Sequence, residues 1–285
     1  MVKNIPLSAS TQDVEELKKF NEEATQWWEP EGSFAPLHHM NPCRLAIIKK
    51  ILCDYFTLPE NTATPLKGLS ILDVGCGGGL LTEPLARLGA TVVGIDAGEE
   101  AIRVATHHAS LMGLSIEYHT TTIEEWAQQA RTFDVILSFE LLEHLANLPP
   151  FFHSLRSLLQ SKGMILVSTM NRTISSFLGA IVGAEYILRW VPRGTHSWNK
   201  FLKPSELAQH FHQEGFHLKS LHGMSYDPLE GEWKETSRVN INYIATATKE
   251  DNGAPRETRT PTTIRSADFE SAASTNSATG ACDQE

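Results

Sequence analysis

A glycine-rich stretch stands where a buried strand is expected to turn into a helix. The apolar run 69–74 is followed by Gly75, Gly77, Gly78 and Gly79. Glycine lets a backbone turn sharply and lets a ligand approach it closely. Ligands of open parallel sheets bind at the carboxyl ends of the strands, so this turn predicts a binding site.

The spacing of the glycines separates two kinds of nucleoside-containing ligand. The dinucleotide pattern G-x-G-x-x-G would need glycine at position 80 or 82, where the chain has Leu80 and Thr82. The pattern present is G-x-G-x-G with Asp73 two residues ahead, which is typical of class I S-adenosylmethionine-dependent methyltransferases. Glu83, just after the turn, also suits a cationic sulfonium better than a pyrophosphate. An NAD-dependent oxidoreductase is therefore the less favoured alternative.

A carboxylate follows the next apolar run. The run 91–95 ends at Asp96, about 20 residues after the first glycine, the distance expected for a carboxylate that accepts hydrogen bonds from ribose hydroxyls. Taken separately, the glycines could form an ordinary βα turn and Asp96 could cap a helix. Together they predict a nucleoside-containing cofactor in contact with Gly75, Gly77 and Asp96.

A cluster of ionisable residues follows a later apolar run. Glu140, Glu143 and His144 come directly after the run 133–139, and positions i, i+3 and i+4 share one face of a helical turn. They could bind a divalent cation, most simply Mg²⁺, with Mn²⁺ or Zn²⁺ as alternatives. His144 could instead act as a general base towards a phenol. A purely structural role, in which the glutamates cap a helix and His144 packs on the sheet, is the third possibility.

Elements that alternate in type position these residues. From residue 69 short apolar runs alternate with helical stretches, as in repeated βα units. This predicts an α/β fold with a doubly wound, mostly parallel, seven-stranded, Rossmann-like sheet, preceded by N-terminal helices and carrying a helical insertion after strand five. The predicted strands are 69–74, 91–95, 115–119, 133–139, 163–169, 216–221 and 240–248, and the helices between them are 79–88, 98–112, 122–130, 149–160 and 204–213.

The chain divides into three predicted regions. Residues 1–60 form a helical cap, with helices over 11–28 and around 45–56 and an irregular segment at 30–42 that is rich in Pro, Gly, His and Asn. Residues 61–249 form the methyltransferase domain, with the insertion at 171–203. Residues 250–285 have few large apolar side chains, which predicts a disordered tail.

Composition narrows the possible partners. The 285-residue chain has a formal net charge of −10, which argues against nucleic acid as a partner because backbone binding needs a basic surface. Its four cysteines lie far apart, so neither a zinc site nor a disulfide framework is predicted. No secretory or transit signal is recognised at the N-terminus, which favours a bacterial cytoplasmic protein over a mitochondrial matrix protein.

Several longer motifs resemble one family. They are W-W-E-P-E-G at 27–32, L-H-H-M-N-P-C-R at 37–44, E-L-L-E-H at 140–144, V-G-A-E-Y-I-L-R at 182–189 and G-T-H at 194–196. With the glycine turn, they resemble the ubiquinone-biosynthesis O-methyltransferases over about residues 16–248. The resemblance implies methyl transfer from S-adenosylmethionine to hydroxyls of polyprenylated catechols, at both O-methylation steps of the pathway.

The resemblance also implies roles for individual residues. Arg44 is expected to pair with the carboxylate of S-adenosylmethionine, Gly75 to lie under its methionine part, Asp96 to hold its ribose and Phe139 to contribute at the edge of strand four. An arginine suits a carboxylate because its planar fork offers two parallel hydrogen bonds. A metal is implied at Glu140, Glu143 and His144, the same cluster that the spacing singled out.

A polyprenylated substrate implies a membrane nearby. Residues 174–203 combine helically spaced apolar positions with Arg189, Arg193, Lys200 and Lys203, which predicts an amphipathic segment on an anionic membrane surface, with a buried lid helix as the alternative. The predicted location is the inner membrane of a bacterium, bound peripherally, with other quinone-biosynthesis enzymes as possible partners. A methyltransferase of soluble phenols and a non-catalytic, membrane-bound S-adenosylmethionine-binding scaffold are the alternative functions.

Overall fold

The residues that the structure describes contain a central sheet of eight strands. The computed structural model describes residues 11–173, 176, 198–227 and 229–250. The strands are β1 (Ser70–Val74), β2 (Thr91–Asp96), β3 (Glu117–Thr120), β4 (Phe133–Phe139), β5 (Leu159–Met170), β6 (Phe216–Asp227), β7 (Glu232–Thr236) and β8 (Asn242–Lys249). Their order in the sheet is β3-β2-β1-β4-β5-β8-β6-β7.

Strands β1 to β5 pair in parallel, whereas β8 runs antiparallel to β5 and β6, and β7 antiparallel to β6. Within the sheet, the chain path starts at β1 in the middle, runs outwards through β2 to β3 and then returns to β4 on the other side of β1. Strand order therefore reverses between β1 and β4, which is where ligands bind in doubly wound folds. The predicted fold class is confirmed.

Helices cover both faces of this sheet. They are α1 (Val14–Glu23), α2 (Ala35–Phe56), α3 (Thr82–Arg87), α4 (Glu99–Leu111), α5 (Ile123–Trp126), α6 (Leu148–Leu158) and α7 (Pro204–Gln213). Because side chains alternate along a strand, Leu72 of β1 packs with Phe152 and Phe211 on one face, whereas Ile71 packs with Ile48 and Leu52 of α2 on the other. Two apolar layers therefore hold the carboxyl ends of β1, β2 and β4 at one edge.

The segment 30–42 differs from its prediction. Irregular structure was expected there, but α2 begins at Ala35 and continues through Pro42. Pro36 lies in the first turn of the helix, where a missing N–H has no partner to lose. Pro42 lies inside the helix and removes one backbone hydrogen bond, but residues before and after it, such as Met40 and Ile47, are buried in the core. The continuous helix carries Arg44, two residues after Pro42, into the interior, where it is only 3% exposed.

The sheet has one strand more than the seven predicted: β7 was not predicted, and β6 extends beyond its predicted end. Both form the edge hairpin in which Tyr226 pairs with Trp233. The sequence of β7 is rich in charged residues, as edge strands often are, so it lacks an apolar signal. Lys234 pairs with Asp227 and Glu230 across the turn of the hairpin.

Two predicted segments lie largely outside the described residues: the amphipathic region 174–203, of which residues 176 and 198–203 are described, and the tail 250–285, of which only residue 250 is. Within the described ranges, no helix is long and apolar enough to span a membrane.

Candidate active site

The glycine turn joins the ends of β1 and β2. The amides of Gly75 and Cys76 donate to the carbonyl oxygen of Ile95 at 2.8 and 3.1 Å. Gly75 and Gly77 have φ angles of +75° and +51°, in the left-handed region that side chains disfavour. Here glycine is required by the backbone conformation itself, as the sequence pattern predicted.

Asp96 lies against the same turn. Its Oδ2 accepts a hydrogen bond from the amide of Gly77 at 2.9 Å, and its Oδ1 accepts one from the amide of Gly98 at 2.7 Å. Burial raises the pKa of Asp96, while the two backbone hydrogen bonds act in the opposite direction. The carboxylate thus braces the turn and contacts Gly98, the N-cap residue of α4, and each of its oxygens retains a second lone pair for a ribose hydroxyl.

Two tryptophans, Trp27 and Trp28, cover the turn, and neither was predicted to be part of the site. A Cβ at Gly77 would lie 2.4 Å from the ring of Trp27, which stacks on Phe34 at a centroid distance of 3.7 Å. The Nε1 of Trp28 donates to the carbonyl oxygen of Gly78 at 2.9 Å. The segment between α1 and α2 is therefore packed on the cofactor turn, which explains why glycine is also needed for space.

Arg44 and Glu140 form a buried ion pair. The Nη2 of Arg44 lies 2.5 Å from the Oε1 of Glu140, and the same oxygen accepts hydrogen bonds from Ser168 Oγ at 2.7 Å and Asn242 Nδ2 at 3.0 Å. The guanidinium carbon lies 5.8 Å from the ring centroid of Phe139. Ser168 and Asn242 come from β5 and β8 and could not have been found from local sequence.

Glu143 and His144 have separate environments. Glu143 is 3% exposed; its Oε2 accepts from Thr169 Oγ1 at 2.8 Å, and its Oε1 has no hydrogen-bond partner among the described residues. Burial, together with the charge of Glu140, raises the pKa of Glu143 to about 7. The Nδ1 of His144 lies 3.2 Å from Oε2 of Glu16. Burial lowers the pKa of His144, but the neighbouring carboxylates, with Glu16 foremost, raise it by more.

The three predicted metal ligands face different partners. Glu140 is turned towards Arg44, Glu143 towards Thr169 and His144 towards Glu16. In the part of the chain that the structure describes, no three His, Cys, Asp or Glu side chains are grouped so that they could hold a metal ion. This donor arrangement does not fit the predicted metal site.

One cavity connects these groups. It has a volume of about 570 Å³, within the range of small-molecule sites. Its lining includes Gly75, Asp96, Arg44, Glu143 and His144, all predicted site residues, and at the other side Met170, Tyr226 and Trp233. Tyr226 and Trp233 belong to the hairpin β6–β7. Because β7 was not predicted, neither residue was predicted to line the site.

Comparison with known proteins defines the class. A family model described as a methyltransferase domain matches residues 47–221. The magnesium protoporphyrin IX methyltransferase from Synechocystis PCC 6803, solved with bound S-adenosylmethionine, has a similar fold: the TM-score is 0.55 at 17% identity, over 85% of this chain and 99% of that one. The glycine turn, the acid Asp96 at the end of β2 and this fold together define a class I S-adenosylmethionine-dependent methyltransferase.

Curated relatives define the family within that class. The ubiquinone biosynthesis O-methyltransferase of Azorhizobium caulinodans is 46% identical over 82% of this chain and 93% of its own length. The mitochondrial ubiquinone biosynthesis O-methyltransferase of Arabidopsis thaliana is 44% identical over 85% of this chain and 76% of its own length. The chain belongs to the ubiquinone biosynthesis O-methyltransferase family, and the predicted family is confirmed.

Proposed function

We propose that this protein transfers a methyl group from S-adenosylmethionine to a hydroxyl of polyprenylated catechols, at both O-methylation steps of ubiquinone biosynthesis. The observation that carries the proposal is the single cavity that joins the glycine turn to Glu143 and His144 and continues to an apolar, aromatic wall. Family membership supports the same reaction. The cavity lining thus combines residues suited to a methyl donor, two candidate proton acceptors and apolar side chains suited to a prenylated acceptor.

The methyl donor is assigned to one end of the cavity. Gly75 and Gly77 present backbone, Asp96 presents a carboxylate for ribose hydroxyls, and Phe139 packs beside Arg44. Arg44 is buried, yet its Nε has no hydrogen-bond partner in the part of the chain that the structure describes. A buried unpaired donor is unfavourable unless a ligand completes it, and the α-carboxylate of the methyl donor is a chemically suitable acceptor.

The residues next to this end are candidates to accept the proton of the substrate hydroxyl. An unperturbed phenol has a pKa near 10 and is mostly protonated at neutral pH, so the reacting hydroxyl must lose its proton when bound S-adenosylmethionine supplies the methyl group. Glu143 and His144 line the cavity as the two candidate acceptors. The raised pKa of Glu143, about 7, lies near the operating pH, where general bases are most effective. Glu16 holds the Nδ1 side of His144 and leaves Nε2 for the substrate.

A divalent metal such as Mg²⁺ at Glu140, Glu143 and His144 stays a prediction that the side-chain directions do not support, and no step is assigned to it. We also propose that the protein binds a membrane surface through residues 174–203. Its position would be peripheral on the bacterial inner membrane or on the mitochondrial inner membrane, and other quinone-biosynthesis enzymes are proposed partners. In the described part of that segment Trp198 is 37% exposed, which is compatible with an interfacial contact.

The test is an assay with labelled S-adenosylmethionine and a short-chain prenylated catechol, compared with a soluble catechol, each with and without liposomes. Labelled product from the prenylated catechol, stimulated by liposomes, is expected. Preference for the soluble catechol would indicate a different phenol methyltransferase, and binding without turnover would indicate a scaffold. Parallel reactions with chelator, and with Mg²⁺ restored, decide whether a metal takes part.

A further inference from the structure

We infer that Glu140 binds the α-ammonium of S-adenosylmethionine, next to Arg44, whose guanidinium the proposed function assigns to the α-carboxylate. The inference rests on the proposed function and deepens it. It gives Glu140 a binding role in place of the metal-ligand role predicted from its spacing.

Arg44 has donors left for a ligand. Its side chain is 4% exposed and its Nη2 binds Glu140, while its Nε is buried and has no partner within residues 11–173, 176, 198–227 and 229–250. A guanidinium carries five N–H groups in a planar fork that matches a carboxylate. Because Arg44 lines the cavity, the remaining donors can be completed by a carboxylate of a molecule bound there.

Glu140 is held at the cavity beside the glycine turn. Its φ of +52° is in the left-handed region, and its amide donates to the carbonyl oxygen of Ser168 at 3.0 Å. Ser168 and Asn242 also donate to its Oε1. The next residue, Leu141, touches the turn, since a Cβ on Gly75 would lie 3.0 Å from its side chain. The Glu140 carboxylate is thus held in place by donors from Arg44, Ser168 and Asn242, and Glu140 lines the same cavity as Gly75.

The charges match a zwitterion. The α-carboxylate and α-ammonium of the methyl donor carry opposite charges, as Arg44 and Glu140 do, so this pair of residues and this end of the ligand are each neutral overall. Buried charges are tolerated when they are paired and hydrogen-bonded. A metal cation at Glu140 would instead lie close to the guanidinium of Arg44, which is already 2.5 Å from Oε1, and like charges repel strongly at such range.

The test compares two ligands by isothermal titration calorimetry: S-adenosylhomocysteine and its desamino analogue, which keeps the carboxylate but lacks the α-ammonium. The proteins are the wild type, Glu140→Gln and, as a control, Asp96→Asn. The wild type should prefer S-adenosylhomocysteine by about 10- to 100-fold, as expected for a hydrogen bond between charged groups. Glu140→Gln should reduce this preference to about twofold or less. Asp96→Asn should weaken both ligands and retain the preference.

Three other outcomes would overturn the inference. A wild type that binds both ligands equally well shows that no group recognises the ammonium, whether or not the variants fold. A preference that persists in folded Glu140→Gln assigns the recognition elsewhere. Calorimetric Mg²⁺ binding by the wild type that Glu140→Gln abolishes, with S-adenosylhomocysteine affinity unchanged, restores the metal-ligand role. Failure of the wild type to bind either ligand would instead reject the proposed function.

Discussion

Gly77→Ala should reveal two separate reasons why this position needs glycine. The φ of +51° is in the left-handed region, which costs an L-residue about 1–2 kcal/mol. The added Cβ would also lie 2.4 Å from the ring of Trp27, and forcing an extra carbon into a packed site costs about 1–3 kcal/mol. The free energy of unfolding should therefore fall by about 2–5 kcal/mol.

Gly113 provides a matched control. Its φ is +66°, yet nothing lies within 4 Å of the position that its Cβ would take. Gly113→Ala should therefore show the backbone cost alone, about 1–2 kcal/mol. Urea unfolding measures both variants, with the midpoint compared at constant slope. In a Trp27→Ala background the cost of Gly77→Ala should drop to that of Gly113→Ala, because the steric contact is then absent.

Equal losses for Gly77→Ala and Gly113→Ala in the wild-type background would refute the packing of Trp27 on the turn. The same comparison can be made for ligand affinity. Gly77→Ala should weaken S-adenosylhomocysteine binding because the turn or Trp27 must shift, whereas Gly113→Ala should leave the affinity unchanged. Weakened binding in both variants would place the cause outside the glycine turn.

Three further predictions concern the rest of the cavity. The pKa of Glu143 rises from 4.5 to about 7 on folding, and this shift contributes up to roughly 3 kcal/mol to the free energy of unfolding. The contribution is complete below about pH 4.5 and is lost as the pH rises through 7. Glu143→Gln should flatten this part of the plot of unfolding free energy against pH, and an unchanged slope would contradict the assignment. Glu16→Gln should lower the pKa of His144, measured by NMR titration, because the carboxylate that raises it is neutralised; no downward shift would exclude the ion pair. Trp233→Ala should raise KM for a prenylated catechol by about tenfold, equivalent to about 1.4 kcal/mol, with S-adenosylhomocysteine affinity unchanged; an equal loss of both would show a general structural effect.

Much of the fold could be predicted because its signals are local. Each βα unit contains its own apolar run and its own helical periodicity, so the five parallel strands were located to within a few residues. The failures occurred where local signals conflict with packing. Pro42 suggested a break, but α2 continues through it. Edge strand β7 is too charged to resemble a strand in isolation, and it forms because β6 supplies its hydrogen-bond partners.

The amino-acid sequence by itself determined the glycine turn and Asp96, since a single βα unit joins the neighbouring parallel strands β1 and β2 and brings their carboxyl ends together. Tertiary structure alone decided the partners of the ionisable side chains. Arg44 and Glu140 are 96 positions apart, and Glu16 and His144 are 128 apart. The spacing of Glu140, Glu143 and His144 suggested that their side chains converge. Because a buried charged group is costly unless it is paired, each of them instead pairs with a donor or counter-charge that the folded chain places nearby.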